Sequence, residues 1–169
     1  MTVIGVVSDT HFPRFGRALP RALERGLRGA RVERILHLGD LTDPLAIPLF
    51  EAIAPFDAVA GNNDGEALRE RFGRRKVVQV EDVRIGMVHG DGKRGTTLGR
   101  ALAEFAAEPV EVILFGHSHR PLVKRENGRL VANPGSPTDK RMNPRYSYAI
   151  LTVDGAQATI RLRYYLSRA

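Results

Sequence analysis

The sequence predicts an α/β fold in which two β-sheets stack as a sandwich with helices on the outside. Three observations lead there. The first two thirds of the chain alternate short apolar, β-branched runs with helical patterns, which points to parallel strands joined by crossovers. The last third is nearly all strand and reads as an antiparallel set. Polar residues gather just after the early strands, where an open α/β sheet binds its ligands.

The strand-like runs are Val3–Val7, Arg34–Leu38, Ala58–Ala60, Val83–Val88, Val110–Phe115, Arg129–Ala132, Ser147–Val153 and Ala158–Tyr165. Each is bounded by Gly, Asp, Asn or Pro, the residues that punctuate strands. Leu19, Leu23 and Leu27 recur every four residues and predict a helix over 18–29, with Pro20 in its first turn and Gly29 at its end. Leu45, Leu49 and Ile53 suggest a second helix that Pro48 bends. Thr42-Asp43-Pro44 reads as its start, with Asp43 as the cap. A short helix is expected over 67–72 and another over 97–108, closed by Pro109. In the tail, Ile150, Thr152 and Asp154 alternate with Leu151 and Val153, the pattern of a sheet with one wet face.

The chain has 169 residues, 43% of them hydrophobic, which fits a single domain over 1–169. No Cys is present, so disulfides, thiolate nucleophiles, iron–sulfur clusters and Cys-ligated zinc are excluded. The amino-terminal apolar run is short, lacks a preceding basic residue and ends at Asp9, so it does not read as a signal peptide. No run approaches the roughly 18 apolar residues of a membrane span. A cytoplasmic protein without a membrane partner is the expectation. The formal charge is +7, a balance that favours polyanionic partners. The basic residues are scattered, however, which argues against nucleic acid.

The residues that follow the strands carry the chemistry. Val3–Val7 runs into Ser8-Asp9-Thr10-His11, Arg34–Leu38 into Gly39-Asp40, and Ala58–Ala60 into Gly61-Asn62-Asn63-Asp64. Val83–Val88 runs into His89-Gly90-Asp91, and Val110–Phe115 into Gly116-His117-Ser118-His119. Four of the five histidines therefore sit just after a strand. His37 lies inside one and reads as structural. A set of Asp, His and Asn suits Mn, Fe, Zn, Ni or Co ions. Seven candidate ligands (Asp9, His11, Asp40, Asn62, His89, His117 and His119) exceed one four-coordinate zinc and suit two ions sharing a carboxylate. Two such ions can clamp a phosphoryl group and lower the pKa of bound water to about 7.

In order and spacing, Asp9-x-His11, Gly39-Asp40, Gly61-Asn62-x-Asp64, His89 and Gly116-His117-x-His119 resemble the signature of the calcineurin-like metallophosphoesterases. With the Asn133-Pro134-Gly135-Ser136 loop, the chain resembles the small phosphodiesterase branch, related in fold to the retromer scaffold subunit. The resemblance implies a four-layer αββα sandwich. It implies that Asp9, His11 and His119 hold one ion, that Asn62, His89 and His117 hold a second, and that Asp40 bridges them. Asp40, Asn62 and His117 would be catalytic. Two divalent ions, with manganese the leading choice, would supply a metal-bound hydroxide to attack a small phosphate diester.

Asn63 stands where the family usually has a His. It can hydrogen-bond a phosphate oxygen but cannot donate a proton as an acid, so poor leaving groups should suffer. Asp64 then reads as a cap or supporting acceptor. Asn63 and Arg120 are the candidate substrate contacts; Lys93, Arg94 and Asp91 read as loop residues. Ser136 is expected near the site. The alternatives are a phosphomonoesterase and a non-catalytic metal-binding scaffold. A nuclease is disfavoured because no extra DNA-gripping segment is visible. Exposed edge strands make a homodimer an open expectation.

Overall fold

The computed structural model describes residues 1–169. Two five-stranded mixed sheets pack face to face. The first contains β1 (Thr2–Val7), β2 (Arg34–His37), β3 (Phe56–Ala58), β9 (Tyr146–Asp154) and β10 (Gln157–Tyr165), in the order β10-β9-β1-β2-β3. The second contains β4 (Arg75–Val80), β5 (Val83–Val88), β6 (Val112–Leu114), β7 (Leu122–Glu126) and β8 (Arg129–Asn133), in the order β4-β5-β6-β8-β7. β1, β2 and β3 are parallel neighbours, as are β5, β6 and β8.

Three apolar clusters make the four layers. Ile4, Val6, Leu36 and Leu38 from the first sheet meet Ile85, Met87, Val112, Leu114 and Ala132 from the second, forming the core between the sheets. The other face of the first sheet is covered by α1 (Arg21–Gly29), α2 (Ile47–Glu51) and α3 (Glu66–Phe72), through Leu23, Leu27, Phe50, Leu68 and Phe72. The other face of the second sheet is covered by α4 (Thr97–Glu104) and the turn after it, through Ala101 and Phe105. No helix is long and apolar enough to cross a membrane.

Several expectations need correction. β4 and β7 lie outside the strands read from sequence. Both are edge strands rich in charge (Arg75-Lys76 and Lys124-Arg125-Glu126), and edges are kept polar because they lack a second neighbour. The tail is not one antiparallel set. The β7–β8 hairpin joins the second sheet, while the β9–β10 hairpin joins the first, with β9 antiparallel to β1. Nor does β9 have a wet face: Tyr148 and Ile150 pack under the helices while Ala149, Leu151 and Val153 face the inner core.

α3 matches its expected span to within one residue, and the other helices are shorter than their patterns. α1 starts at Arg21 because Pro20, at φ −53 and ψ 134, is the extended residue before it. The second helix is a 3-10 turn over Pro44–Ala46 followed by α2, and Asp43 caps it by accepting from the Leu45 N–H at 2.9 Å. α4 stops at Glu104, where Phe105 leaves helical geometry and buries its ring against β5. β3 runs over Phe56–Ala58, two residues earlier than read, and β6 is trimmed to Val112–Leu114.

Candidate metal centre

The carboxyl ends of β1, β2 and β3 on one sheet, and of β5 and β6 on the other, open at the same edge of the sandwich. Their loops bring together two sets of ligand atoms. Asp9, His11 and His119 form one and Asp40, His89 and His117 the other; within each set the atoms lie within 4.8 Å of one another. Side chains more than 100 residues apart thus converge, as the motif order predicts. Asp40 sits between the sets: its Oδ2 is 3.6 Å from His11 Nε2 and 3.3 Å from His89 Nε2. Asp9 Oδ1 is 3.5 Å from His119 Nε2 and 3.7 Å from His89 Nε2.

The local backbone is bent to achieve this. Asp9, His11, Asp40, His117 and His119 have φ of 57, 48, 56, 66 and 57°. That left-handed region costs a non-glycine residue of order 1–3 kcal/mol and persists where surrounding structure enforces it. The enforcement is visible. The Asp9 N–H donates to Gly39 O and the His11 N–H to Asp40 O. The Ser136 hydroxyl donates to Asp9 O at 2.9 Å. Gly116 must be glycine, since a methyl group there would collide with Ser8 Oγ and the Asp9 carboxylate.

Each ligand is also held from behind. The His89 Nδ1–H donates to Leu38 O at 2.7 Å, and the His119 Nδ1–H to Asp139 O at 2.6 Å, so both present Nε2 to the site. Asp9 Oδ2 accepts from Ser8 Oγ and the His117 N–H. Asp64 is buried, and its carboxylate accepts from the N–H groups of Asp40, Gly61 and Thr42. Asn63 donates its backbone N–H to Asp40 Oδ1 at 2.9 Å and its Nδ2–H to Asp40 Oδ2 at 2.8 Å. Asn62 is exposed on the same loop. Arg120 is exposed beside His119. Asp91 pairs with Arg74 at 2.6 Å, and the Arg94 carbonyl accepts from Arg100. His37 stays apart: its Nδ1 accepts from the Gly39 N–H, so Nε2–H donates to Thr10 Oγ1.

Four buried side-chain atoms have no hydrogen-bond partner in the protein: Asp9 Oδ1, His11 Nε2, His89 Nε2 and His119 Nε2. All four point into the same space. Buried polar atoms are normally paired, so a cluster of one carboxylate oxygen and three imidazole nitrogens without protein partners fits divalent cations. Electrostatics agree. Burial opposes charge on Asp9 and Asp40, yet the adjoining His89 charge and the hydrogen bonds they accept hold both carboxyls below the usual carboxylate range. Burial keeps His11 and His117 less basic than free imidazole.

Residues 1–156 match the profile of the calcineurin-like phosphoesterase superfamily domain. The chain belongs to the calcineurin-like phosphoesterase superfamily. Among superfamily relatives, a "probable metallophosphoesterase" of Methanothermobacter thermautotrophicus is 36% identical over 159 residues, covering 90% of this chain and 87% of that protein. A phosphodiesterase of Methanocaldococcus jannaschii is 26% identical over 148 residues, covering 78% and 82%. The crystal structure of Vps29 complexed with Zn²⁺ from Entamoeba histolytica superposes with a TM-score of 0.79 at 22% identity, covering 96% of this chain and 92% of that one. The likeness to Vps29 is one of fold. The chain is thus a superfamily member with the αββα architecture and a clustered set of metal-capable residues.

Sequence reasoning missed Asp139 as a support of this superfamily site, and named the Asn133 loop without the role of the Asn133 side chain. Asp139 acts through its carbonyl, which no side-chain pattern reveals. Asn133 Nδ2 donates to Gly116 O and Ser118 Oγ; its place in the Asn-Pro-Gly-Ser turn was the available signal.

Proposed function

We propose that this phosphoesterase is a phosphodiesterase whose centre holds two divalent transition-metal ions. The observation that carries the reading is the placement of Asp40 Oδ2 between two Asp/His sets in which Asp9 Oδ1, His11 Nε2, His89 Nε2 and His119 Nε2 have no protein partner. Asp9, His11 and His119 would hold one ion, Asn62, His89 and His117 the other, and Asp40 both. Bound there, divalent ions supply activated water and neutralise phosphoryl charge. The M. jannaschii phosphodiesterase supports the diester, and the Zn²⁺ complex of Vps29 supports a divalent ion; manganese is the reading for this chain.

The chain's own residues do the rest. Asn63 orients Asp40 through both oxygens. Leu38 O and Asp139 O fix the rings of His89 and His119. Asn63 offers no titratable proton where the family has a His, and general acid catalysis contributes about 10²–10⁴-fold. Bis-p-nitrophenyl phosphate, whose leaving group needs no acid, should therefore turn over well and alkyl esters slowly. Equal rates across leaving groups of widely different pKa would contradict this.

The test joins metal analysis of the purified protein with diester and monoester assays in Mn²⁺, Ni²⁺ and Co²⁺. Asp40→Asn should lose both ions and activity, and His117→Ala mainly one ion. Full metal content and activity in Asp40→Asn would refute the shared position. Metal binding without turnover of any ester would make the chain a scaffold.

A further inference from the structure

Next to the candidate ligands lies a cavity of about 340 Å³ lined by Ser118, Arg120, Arg141, Met142 and Asn143. Ser118 sits between His117 and His119 in the chain, so this cavity adjoins the metal-capable cluster. A second cavity, of about 540 Å³, shares Ser118 and Arg120, which places Arg120 on the ridge between the two.

The charged groups in the smaller cavity have little to bind. Ser118 Oγ accepts from Asn133 Nδ2 at 3.0 Å and from the Arg120 N–H at 3.3 Å. With both lone pairs used, its own proton is free to donate outward. The Arg120 guanidinium makes no ion pair or hydrogen bond within the protein. Arg141 reaches only Asp139, at 4.0 Å. The 139–143 loop is fixed in place: Asn143 Nδ2 donates to His119 O and Lys140 O, both at 2.8 Å. An exposed pair of arginines lining one cavity with a hydroxyl donor is anion-binding chemistry, because guanidinium matches phosphate oxygens as a two-pronged donor.

We propose that Arg120, Arg141 and the Ser118 hydroxyl form a subsite for a second phosphate of the substrate, a terminal phosphate monoester. This rests on the phosphodiesterase reading for the scissile bond. Two guanidiniums match the roughly −2 charge of a terminal phosphate better than the single charge of a chain diester. The substrate class is then a small diester bearing another phosphate, rather than a nucleic-acid strand.

The probes are thymidine 5′-(4-nitrophenyl phosphate) and the same compound phosphorylated at the 3′ hydroxyl. With Mn²⁺, the 3′-phosphorylated compound should have a kcat/KM higher by about tenfold. That ratio should collapse towards one in Arg120→Gln, Arg141→Gln and the double variant. A native ratio of one, or a double variant that keeps the native ratio, overturns the subsite. A binding measurement separates this from turnover. Thymidine 3′,5′-bisphosphate should bind the protein after EDTA treatment, followed by calorimetry, and binding should be lost in the double variant. Arginine-dependent binding without hydrolysis of either compound would sink the diesterase reading and leave the subsite standing. Hydrolysis without a preference, and with no arginine-dependent binding, would do the reverse. Oligothymidylate that competes as tightly as the bisphosphate would assign a strand and overturn the terminal-phosphate assignment.

Discussion

His89 and His37 are both buried, and their surroundings drive them in opposite directions. Burial opposes charge on His89, but the Asp9 and Asp40 carboxylates outweigh it and push its pKa up to about 9. Burial alone dominates at His37, pushed down to about 3, in keeping with its neutral hydrogen-bonded form. A cation binding at Nε2 must displace the His89 proton, so apparent metal affinity should rise about tenfold per pH unit between roughly 6.5 and 9. Calorimetry in buffers of different ionisation enthalpy would count that proton, and a pH-independent affinity would contradict it. In chelated protein the same two groups shape stability. The contribution of His37 is complete above about 6.5, its unfolded pKa, and is lost as pH falls towards its folded value, amounting to ~2 kcal/mol by pH 5. That of His89 is complete below about 6.5 and is lost as pH rises through its folded value. Urea midpoints in EDTA should therefore peak near pH 6.5. Asn63→Ala, which removes the side-chain hydrogen bond to Asp40 Oδ2 and keeps the main-chain one to Oδ1, should weaken metal binding about 10-fold. Asp139→Ala should do far less, because its main-chain carbonyl holds His119; equal losses in a metal titration would contradict this contrast. The histidines and aspartates of the centre were legible because each directly follows a strand. The engagement of Asn63 with Asp40 was not, since it depends on how the 61–64 loop folds back over Asp40.

At the scale of the elements, legibility followed burial. β1 and β6 are apolar on both faces and β5 on its inner face, so all three stood out, whereas β4 and β7 were hidden by the charges that protect sheet edges. Residues 97–108 kept a helical spacing of apolar residues past the point where the helix ends, because Phe105 packs on the sheet from a turn rather than from α4. That packing rests on a missing side chain. A methyl group at Gly86 in β5 would meet the Phe105 ring at 2.8–2.9 Å, backed by the α4 layer. Gly86→Ala should cost about 1–3 kcal/mol by overpacking, read as a lower thermal midpoint, with metal stoichiometry intact because the ligand loops lie beyond the strand end. A loss of metal equal to the loss of stability would mean that the strand and the site are coupled.

For the molecule as a whole, the decisive fact is that Asp9, His11 and Asp40 belong to one sheet and His89, His117 and His119 to the other. Ions held among them would tie the two sheets together at one end. At 100 times its dissociation constant, one such ion adds about 2.7 kcal/mol, or a rise of about 5–11 °C in Tm for a chain of this size. Calorimetric scans with Mn²⁺ and with EDTA measure it, and coincident scans would refute ion binding to the native state. The division of the tail between the sheets was beyond sequence reading, because three apolar runs carry no mark of which neighbour each will choose. That division has a consequence for a chain emerging from a ribosome. The six clustered Asp and His side chains have all been synthesised by residue 119, yet β6 still lacks β8 and β1 still lacks β9, which ends at Asp154. A nascent polypeptide of 120 residues would own all six of these side chains on two unfinished sheets, so any capture of a cation there should wait until β8 and β9 have been made.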